Sequence, residues 1–336
     1  YQNQIELVYM TGILPIKKHD INSSLNAFTE CTMLNPIFMA PYTGFTEEEV
    51  KDLCIKNQFD YNEMNEWYNG YVLNKFHIFN PKSVIDAITS RKIKNYWSKT
   101  GSFESLKYYI SMNFDGLRDS IIKMLANENI KIDDNSFQND ENEIKNKDDV
   151  LTFFVHVGYL AYDETKNEVF IPNNELMSVF FTTIKQCDWP AISEAIKQSD
   201  ELLNATLSMN PDKVCEIIKK VHYQSTSVLK YDNENSLSCV ISIAFYTARK
   251  FYFTSREMPL GIGFLDIVFL PKPGINKPAI LFELKWNQEE ESAIDQFEQK
   301  KYSEHLSQYT SNLIIVGINY DKESKEYQCI IKKYQE

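Results

Sequence analysis

Two apolar runs near residue 270 constrain the fold of this chain more than any other feature. Asp266 precedes the first run, Ile-Val-Phe-Leu, and the second run ends in Glu283-Leu-Lys285. The segment between them contains Pro and Gly, and this pattern predicts a β-hairpin with its turn at Lys272–Asn276. Side chains alternate along a strand, so Glu283 and Lys285 share one face, and the hairpin could bring Asp266 onto that face as well.

Two carboxylates and a lysine that converge at the open end of a sheet have a definite chemistry. They suit a divalent metal ion that activates a water molecule, which is the chemistry of phosphodiester cleavage. An exposed Glu-x-Lys in a strand is more often a salt bridge or part of a solvated edge. The three residues alone therefore leave a catalytic and a structural interpretation open.

The segments on either side of the hairpin favour an α/β domain. Residues 234–249 are apolar at helical spacing, and residues 293–302 predict a second helix. Leu313-Ile-Ile-Val-Gly-Ile is an uninterrupted apolar run, typical of a buried central strand. The predicted order is helix, strand, strand, helix, strand.

The motif and this order of elements resemble the PD-(D/E)XK nuclease superfamily. The resemblance implies that Asp266 and Glu283 bind a metal ion and that the carbonyl of Leu284 completes its coordination. By the same resemblance, Lys285 would orient the attacking water or help to deprotonate it. Mg2+ or Mn2+ is the implied cofactor, because oxygen ligands suit a hard cation that keeps several of its waters.

Three further site residues are implied by the resemblance. Glu234 would supply a metal ligand from the first helix, although the helix dipole equally explains an acidic residue in a first turn. Gln296 and Tyr302 form a Gln-x5-Tyr pair, which some nucleases of this superfamily use beside the metal. Phe264 is a difference, because the family commonly has Gly-Arg-x-Asp where this chain has Gly-Phe-Leu-Asp. The missing arginine weakens the inference of substrate binding at that position.

Several shorter motifs extend the resemblance towards the start of the chain. They are Val8–Pro15, Trp67–Tyr71, Phe79–Val84, Asn95–Gly101, Gly158–Leu160 and Ile171–Glu175. In this order they resemble the bacterial and fungal family in which an AAA-ATPase-like region precedes a PD-(D/E)XK domain. The sequence has no G-x-x-x-x-G-K-[ST] and no apolar strand that ends in paired acidic residues. The expectation is therefore a fragment, or a lineage without the nucleotide-binding half, with no ATPase activity.

The predicted fold is multidomain, α/β in some parts and α in others. Residues 1–126 are expected to form the C-terminal part of an AAA-ATPase-like domain with its helical lid, and the polar residues 127–149 a flexible loop. Residues 150–228 predict a helical, winged-helix-like connector, and residues 229–336 a restriction-endonuclease-like α/β domain. The connector could bind DNA, but its helix lacks basic residues, and this favours a role in packing between domains. Aromatic residues between positions 67 and 97 could stack on bases, but packing between helices is the favoured interpretation.

The charge of the chain is unusual for a protein that binds nucleic acid. It carries 35 Lys and Arg against 47 Asp and Glu, a net charge of −12, and residues 230–336 hold 13 basic and 15 acidic residues. Nucleic-acid-binding proteins usually show a basic patch. Nucleic acid, with DNA favoured, is still the partner that the motif predicts, and the acidic balance leaves open whether the site cuts. The scattered Cys and His residues show no zinc-ligand or disulfide spacing.

Two classes of function follow from the sequence. One is a metal-dependent nuclease whose N-terminal region regulates it or recognises its substrate. The alternative is a non-catalytic interaction or regulatory protein that retains the nuclease fold, with Asp266, Glu283 and Lys285 as a structural ion-pair cluster. No apolar run reaches the ~18–20 residues of a membrane span, so no membrane partner and an intracellular location, cytoplasmic or nuclear, are expected. A homo-oligomer is a further expectation, since AAA relatives often form rings.

Overall fold

The fold is a mixed α/β arrangement that divides into two compact units. The computed structural model describes residues 7–15, 28–97, 103–112, 114–137, 139, 144–187, 189–225, 234–260, 263–286 and 312–334. Unit 1 comprises Tyr1–Met124 and Glu128–Cys187, and unit 2 comprises Leu125–Asn127 and Asp188–Glu336. Among the described helices, none combines the length and the apolar character needed to span a bilayer.

The first part of unit 1 is a small helical layer on a three-stranded antiparallel sheet. Its elements are β1 (Phe45–Thr46), α1 (Glu47–Asn57), α2 (Tyr61–Tyr68), β2 (Tyr71–Leu73), β3 (Phe76–Phe79) and α3 (Pro81–Ser90), with strand order β1-β3-β2. The helix α1 begins with a capping box, in which the Thr46 hydroxyl accepts from the Glu49 amide while the Glu49 carboxylate accepts from the Thr46 amide. This reciprocal pair fixes where α1 begins.

The second part of unit 1 is helical with a second small sheet. Its elements are α4 (Phe103–Met112), α5 (Leu117–Leu125), β4 (Ile130–Lys131), α6 (Lys147–His156), β5 (Ala161–Asp163), β6 (Glu168–Phe170) and α7 (Asn174–Gln186), with strand order β4-β6-β5. The helix α6 and the hairpin β5–β6 that follows it lie at the start of the stretch predicted to be winged-helix-like. β4, however, lies inside the segment predicted to be a flexible loop. Ile130 pairs with Val169 and both side chains are buried, so one apolar residue in a polar segment was enough to anchor a short strand.

Several of the short motifs in unit 1 meet at the buried carboxylate of Glu175. This side chain is 1% exposed, and it accepts a hydrogen bond from the Ser83 hydroxyl at 2.7 Å. It also accepts from the backbone amides of Tyr96 at 2.7 Å and Trp97 at 3.1 Å. These four residues, called the Glu175 junction below, join α3, the segment after it and the start of α7.

Two glycines in these motifs are required by close contacts. A Cβ atom on Gly70, where φ is +117°, would lie 2.0 Å from the carbonyl oxygen of Pro172. Gly158 has φ +81°, and a Cβ atom there would lie 3.0 Å from Cη2 of Trp97. The motifs that resemble the family therefore coincide with the packing of unit 1.

Unit 2 contains helices and a mixed five-stranded sheet. Its elements are α8 (Pro190–Leu207), α9 (Pro211–Ser225), α10 (Glu234–Ala244), β7 (Tyr252–Leu260), β8 (Gly263–Pro271), β9 (Ala279–Trp286), β10 (Leu313–Asp321) and β11 (Glu326–Lys333). The strand order is β11-β10-β9-β8-β7; β9 and β10 are parallel and the other pairs are antiparallel. The predicted helix, hairpin and final strand correspond to α10, β8–β9 and β10, whereas β7 and β11 are additional strands. The helix predicted over 293–302 lies outside the described residues.

The central strand β9 is buried on both faces. Leu281, which pairs with Val268 on β8 and Ile315 on β10, belongs to an apolar cluster on one face. On the other face, the rings of Phe282, Phe269 and Phe245 pack with centroids 4.9–5.4 Å apart. Glu283 follows Leu281 by two positions, so the alternation of the strand directs it to the same face as the apolar cluster.

Candidate functional site

Asp266 and Glu283 occupy adjacent positions where the β8–β9 ladder ends among the described residues. The register runs from Phe269↔Ile280 to Ile267↔Phe282, and the next position along each strand is Asp266 or Glu283. There the Asp266 carboxylate, through Oδ2, accepts a hydrogen bond from the Leu284 backbone amide at 2.6 Å. A side chain thus replaces a backbone carbonyl as the acceptor between the strands. This hydrogen bond fixes the Asp266 carboxylate against β9.

Glu283 and Lys285 form an ion pair inside the sheet. Lys285 Nζ donates to Glu283 Oε1 at 3.2 Å, and the two residues are 9% and 2% exposed. Both face the same side because they are two positions apart, as the sequence predicted. Burying two charges costs much of what their attraction returns, so such a pair is weak support for a purely stabilising role. A buried lysine paired with a carboxylate at the end of a sheet is instead a functional candidate.

The neighbouring strand β10 continues the polar end of this face. Gly317 is the register partner of Glu283, and Asn319 is the register partner of Lys285. Asn319 is 2% exposed, and its Nδ2 donates to Oε1 of Gln328 on β11 at 3.3 Å. The sequence analysis did not identify Asn319. The available signal was an amide at the end of the apolar run that begins at Leu313.

On its other side, Asp266 lies beside a distortion in β7. The β7–β8 register includes Arg256↔Ile267 and Met258↔Leu265, which places Glu257 at the position opposite Asp266. Glu257 has φ +49°, a left-handed conformation that costs a non-glycine residue roughly 1–2 kcal/mol. The strand geometry is thus irregular at Asp266, a feature that no local sequence pattern predicted.

The arginine side chains near β7 form hydrogen bonds away from Asp266. The register partner of Arg256 is Ile267, which alternates with Asp266, and Arg256 Nε donates to the Ser238 hydroxyl at 2.9 Å. Arg249 donates to the carbonyl oxygen of Leu125 at 2.8 Å, and burial lowers the pKa of its guanidinium to about 10. These contacts do not place either guanidinium beside Asp266.

The structure does not describe the side chains of the other three predicted site residues. Glu234 begins α10, and its side chain, like Gln296 and Tyr302, lies outside the described residues. Within the described residues, no group of three or more His, Cys, Asp or Glu side chains is arranged to hold a metal ion. Mg2+ is commonly bound by one or two carboxylates while it keeps several waters. The Asp266 and Glu283 carboxylates therefore fit a hard divalent cation in chemical type.

Comparison with known proteins supports the assignment of the C-terminal region. The family model described as PD-(D/E)XK nuclease superfamily matches residues 232–329. No curated protein and no solved structure matches the chain. None of these comparisons supports the AAA-ATPase-like assignment of residues 1–126, which stays a prediction. The matched segment runs from the start of α10 into β11 and includes the hairpin that carries Asp266, Glu283 and Lys285. Residues 232–329 therefore form a domain of the PD-(D/E)XK nuclease superfamily.

Proposed function

We propose that this domain is a metal-dependent nuclease that hydrolyses phosphodiester bonds in nucleic acid, with DNA as the favoured substrate. The observation that carries the proposal is the convergence of three chemically suited groups at one end of β8 and β9. Asp266 is held against β9 by the Leu284 amide at 2.6 Å, and Lys285 Nζ is 3.2 Å from Glu283 Oε1. The superfamily match covers all three residues.

Asp266 and Glu283 are the proposed metal ligands, with the Leu284 carbonyl as a further oxygen donor. A bound Mg2+ or Mn2+ ion would lower the pKa of a coordinated water and offset negative charge on the scissile phosphate. The chain's own contribution is to hold the half-buried Asp266 carboxylate and the buried Glu283 carboxylate side by side on the sheet. Glu234, Gln296 and Tyr302 are proposed as supporting residues on the strength of their positions in the sequence.

Lys285 is the proposed water-orienting residue. Its ammonium group has three N–H donors, and one of them is directed at Glu283 Oε1. Another can donate to an attacking water or to a phosphate oxygen beside the carboxylates. Because the side chain is only 11% exposed, few water molecules compete for these donors.

A non-catalytic role is the second candidate, and one observation favours it. The Glu283 carboxylate and the Lys285 ammonium already form an ion pair with each other within the folded sheet. In that case the cluster would maintain the sheet, and the domain would serve interaction or regulation. The two candidates differ in whether Asp266 and Glu283 bind a cation.

Nuclease assays and calorimetry together test the proposal. Purified protein is incubated with single- and double-stranded DNA and RNA in Mg2+, Mn2+ or EDTA, and metal binding is titrated separately without nucleic acid. The expected results are metal-dependent cleavage, abolished by Asp266→Asn and Lys285→Ala, and a saturable metal site lost in Asp266→Asn. Undiminished cleavage in either variant would defeat the assignment of the residues. A wild-type protein without a saturable metal site would favour the non-catalytic role.

The N-terminal region carries a separate proposal. We propose that residues 1–126 are the C-terminal part of an AAA-ATPase-like domain that regulates the nuclease domain or recognises its substrate, without ATP hydrolysis of its own. The support is the order of its motifs and the absence of G-x-x-x-x-G-K-[ST] from the sequence. Steady turnover of ATP by the purified chain would contradict this expectation.

A further inference from the structure

A local surplus of positive charge lies around the turn between β8 and β9. The Lys272 backbone amide, in this turn, donates to the carbonyl oxygen of Phe251 at 2.9 Å, so the turn lies against the residue that precedes β7. Residues 246–256 and 267–282 contain no Asp or Glu, in a chain whose net charge is −12. The same two segments contain five basic residues, which are Arg249, Lys250, Arg256, Lys272 and Lys277.

Two of these lysines are held by phenylalanine rings. Lys272 Nζ lies 5.6 Å from the centroid of the Phe253 ring, and Lys277 Nζ lies 4.9 Å from the centroid of the Phe251 ring. An aromatic ring attracts an ammonium group through its quadrupole but has no net charge, so it positions the cation without neutralising it. Lys277 forms no ion pair with any residue that the structure describes. Its positive charge is therefore available to an anionic ligand.

Phe253 is an exposed aromatic side chain on the face of the sheet that carries the candidate site. It is 47% exposed, and it lies three positions before Arg256, whose side chain contacts α10. Because side chains alternate along a strand, Phe253 points to the face opposite α10. Its register partner Leu270 packs against the apolar cluster that contains Leu281. Glu283 shares the face of Leu281, so Phe253 and this proposed metal ligand lie on one face.

The distance from Phe253 to the candidate metal site corresponds to a short stretch of nucleic acid. Leu270 follows Asp266 by four positions on β8, which is about 13 Å along the strand. Phosphates on one strand of DNA are about 3.4 Å apart along the helix axis. A strand whose scissile phosphate lies at Asp266 therefore reaches Phe253 after about four nucleotides.

These side chains form a surface, called the Phe253 patch below, that consists of Lys250, Phe251, Phe253, Lys272 and Lys277. We propose that the Phe253 patch binds a single strand of nucleic acid about four nucleotides from the scissile phosphate. The ammonium groups contact phosphates, and the exposed Phe253 ring stacks on a base. An acidic peptide would use the cations and leave the ring without a partner. The inference rests on the proposed nuclease function, because the patch holds the substrate of that site.

Binding is measured first, without any assay of cleavage. Fluorescence anisotropy of a labelled single-stranded DNA of about 12 nucleotides, in EDTA and at several salt concentrations, gives the Kd of the full chain and its salt dependence. Lys272→Gln combined with Lys277→Gln should weaken binding and reduce the slope of log Kd against log salt by about 1.4, since each phosphate contact contributes about 0.7. Phe253→Ala should raise the Kd by about 10-fold and leave this slope unchanged.

A spectroscopic measurement tests the stacking itself. Phe253→Trp keeps an aromatic ring, so this variant should bind as the wild type does. The additional indole fluorescence of the variant, relative to wild type, should be quenched when the strand binds, because the ring stacks on a base. Binding without quenching would contradict the stacking role of Phe253.

The matched control is a second lysine over a phenylalanine ring, in unit 1. Lys75 Nζ lies 5.5 Å from the centroid of the Phe76 ring, and Lys75→Gln should bind as the wild type does. Thermal melts check that each variant folds, and if Phe253→Ala does not fold, the lysine variants and Phe253→Trp decide the question. A Kd and a salt slope equal to wild type in the folded double lysine variant would overturn the proposal. Wild-type protein that binds polyglutamate but no oligonucleotide would also overturn it.

Cleavage kinetics then separate this proposal from the nuclease proposal. If both hold, the double lysine variant cleaves a dinucleotide as well as the wild type does, but it shows a higher KM and an unchanged kcat on the longer strand. If the wild type binds the strand through the patch and cleaves neither substrate, the nuclease proposal fails and the Phe253 patch stands. If the wild type cleaves both substrates and the double variant has a wild-type KM on each, only the patch fails.

Discussion

Each unit of the molecule buries one glutamate that the sequence motifs pointed to, and the two are held in different ways. Glu175 in unit 1 is 1% exposed and accepts from three neutral donors, the Ser83 hydroxyl and the Tyr96 and Trp97 amides. Glu283 in unit 2 is 2% exposed, and its described donor is the Lys285 ammonium at 3.2 Å. Burial is therefore similar, whereas the chemistry of the donors differs.

The difference indicates what each carboxylate can do. Burial raises the pKa of Glu175, while its hydrogen bonds to the two backbone amides and to Ser83 partly oppose the rise. All three donors belong to fixed parts of the fold, so this carboxylate joins chain segments. Glu283 instead lies beside a long, charged side chain and next to Asp266, at the end of a β ladder. That combination of a second carboxylate and a lysine suits metal binding and proton transfer.

The largest expected effect is the loss of activity in Lys285→Met. If Lys285 orients the attacking water, its removal should lower the rate of metal-dependent cleavage by about 10²–10⁴-fold, the usual contribution of such a group. Rates at saturating substrate, normalised to the folded fraction, measure the effect. The matched control is Lys333→Met, an exposed lysine on β11. Equal losses in both variants would show that general charge, and not this position, determines activity.

The next largest effect concerns stability in unit 1. Glu175→Ala leaves the Ser83 hydroxyl and two backbone amides without their acceptor, and each unsatisfied buried donor costs about 1–3 kcal/mol. We expect the free energy of unfolding to fall by about 3 kcal/mol or more. Glu175→Gln keeps one oxygen for the two amides and should cost less.

Hydrogen exchange of peptides from unit 1, measured at increasing urea concentration, gives this loss of stability. The exposed Glu164→Ala serves as the matched control in the same unit. A loss no larger in Glu175→Ala than in Glu164→Ala would mean that the Glu175 junction contributes little to stability. Cleavage by folded Glu175→Gln protein should be unaffected, which would distinguish this glutamate from Glu283.

The hairpin and its three charged residues could be predicted because their signal is local. Alternation of side chains within β9 is enough to place Glu283 and Lys285 on one face, and a Pro- and Gly-containing turn returns the chain to Asp266. The apolar run of β10 similarly identified a buried strand. The nuclease-like core was therefore largely predictable from short windows of sequence.

The features that could not be predicted from the sequence depend on contacts between residues that are distant in the sequence. Asn319 became a site candidate only through its register with Lys285, and the distortion at Glu257 became relevant only through its register with Asp266. β11 is a polar strand ending in Lys332 and Lys333, whose burial is limited because it lies at the edge of the sheet. β4 formed inside a polar segment because β6 offered it a partner. No local pattern contains this information.

Acid should destabilise unit 2 more than unit 1, because of His222 in unit 2. This residue is 3% exposed, the Tyr327 hydroxyl lies 2.6 Å from its Nδ1, and burial lowers its pKa to about 4. A depressed histidine pKa means that the unfolded state binds more protons between about pH 6.5 and pH 4. The stability that neutral His222 supports in unit 2 is thus present above about pH 6.5 and is lost as the pH falls. From pH 7 to pH 5 the loss is about 2 kcal/mol.

The pH dependence that Glu175 contributes to stability has the opposite sign. Because its folded pKa is raised, the folded state binds more protons above the ordinary carboxyl pKa, so its contribution in unit 1 is lost as the pH rises. Hydrogen exchange at pH 7 and pH 5, corrected for intrinsic rates, should show that acid weakens protection in unit 2 more than in unit 1. His222→Phe should remove most of that difference, whereas the exposed His77→Gln should leave it. A wild-type response that is equal in both units would contradict the assignment.

The smallest expected effect is stabilisation by metal, and it tests the contrast between the two glutamates most directly. A cation that binds only the folded state at tenfold above its dissociation constant stabilises that state by about 1.4 kcal/mol. Ca2+, which has the same preference for oxygen donors, should therefore increase protection against exchange in β8 and β9 without turnover of nucleic acid. Asp266→Asn should abolish the increase, whereas Asp212→Asn, at an exposed position in α9, should retain it. Peptides around Glu175 should be unchanged in every variant, because its three neutral donors already satisfy that carboxylate. A metal-dependent increase around Glu175, or one that survives Asp266→Asn, would show that the chemistry of the hydrogen-bond donors does not separate a structural carboxylate from a metal ligand in this chain.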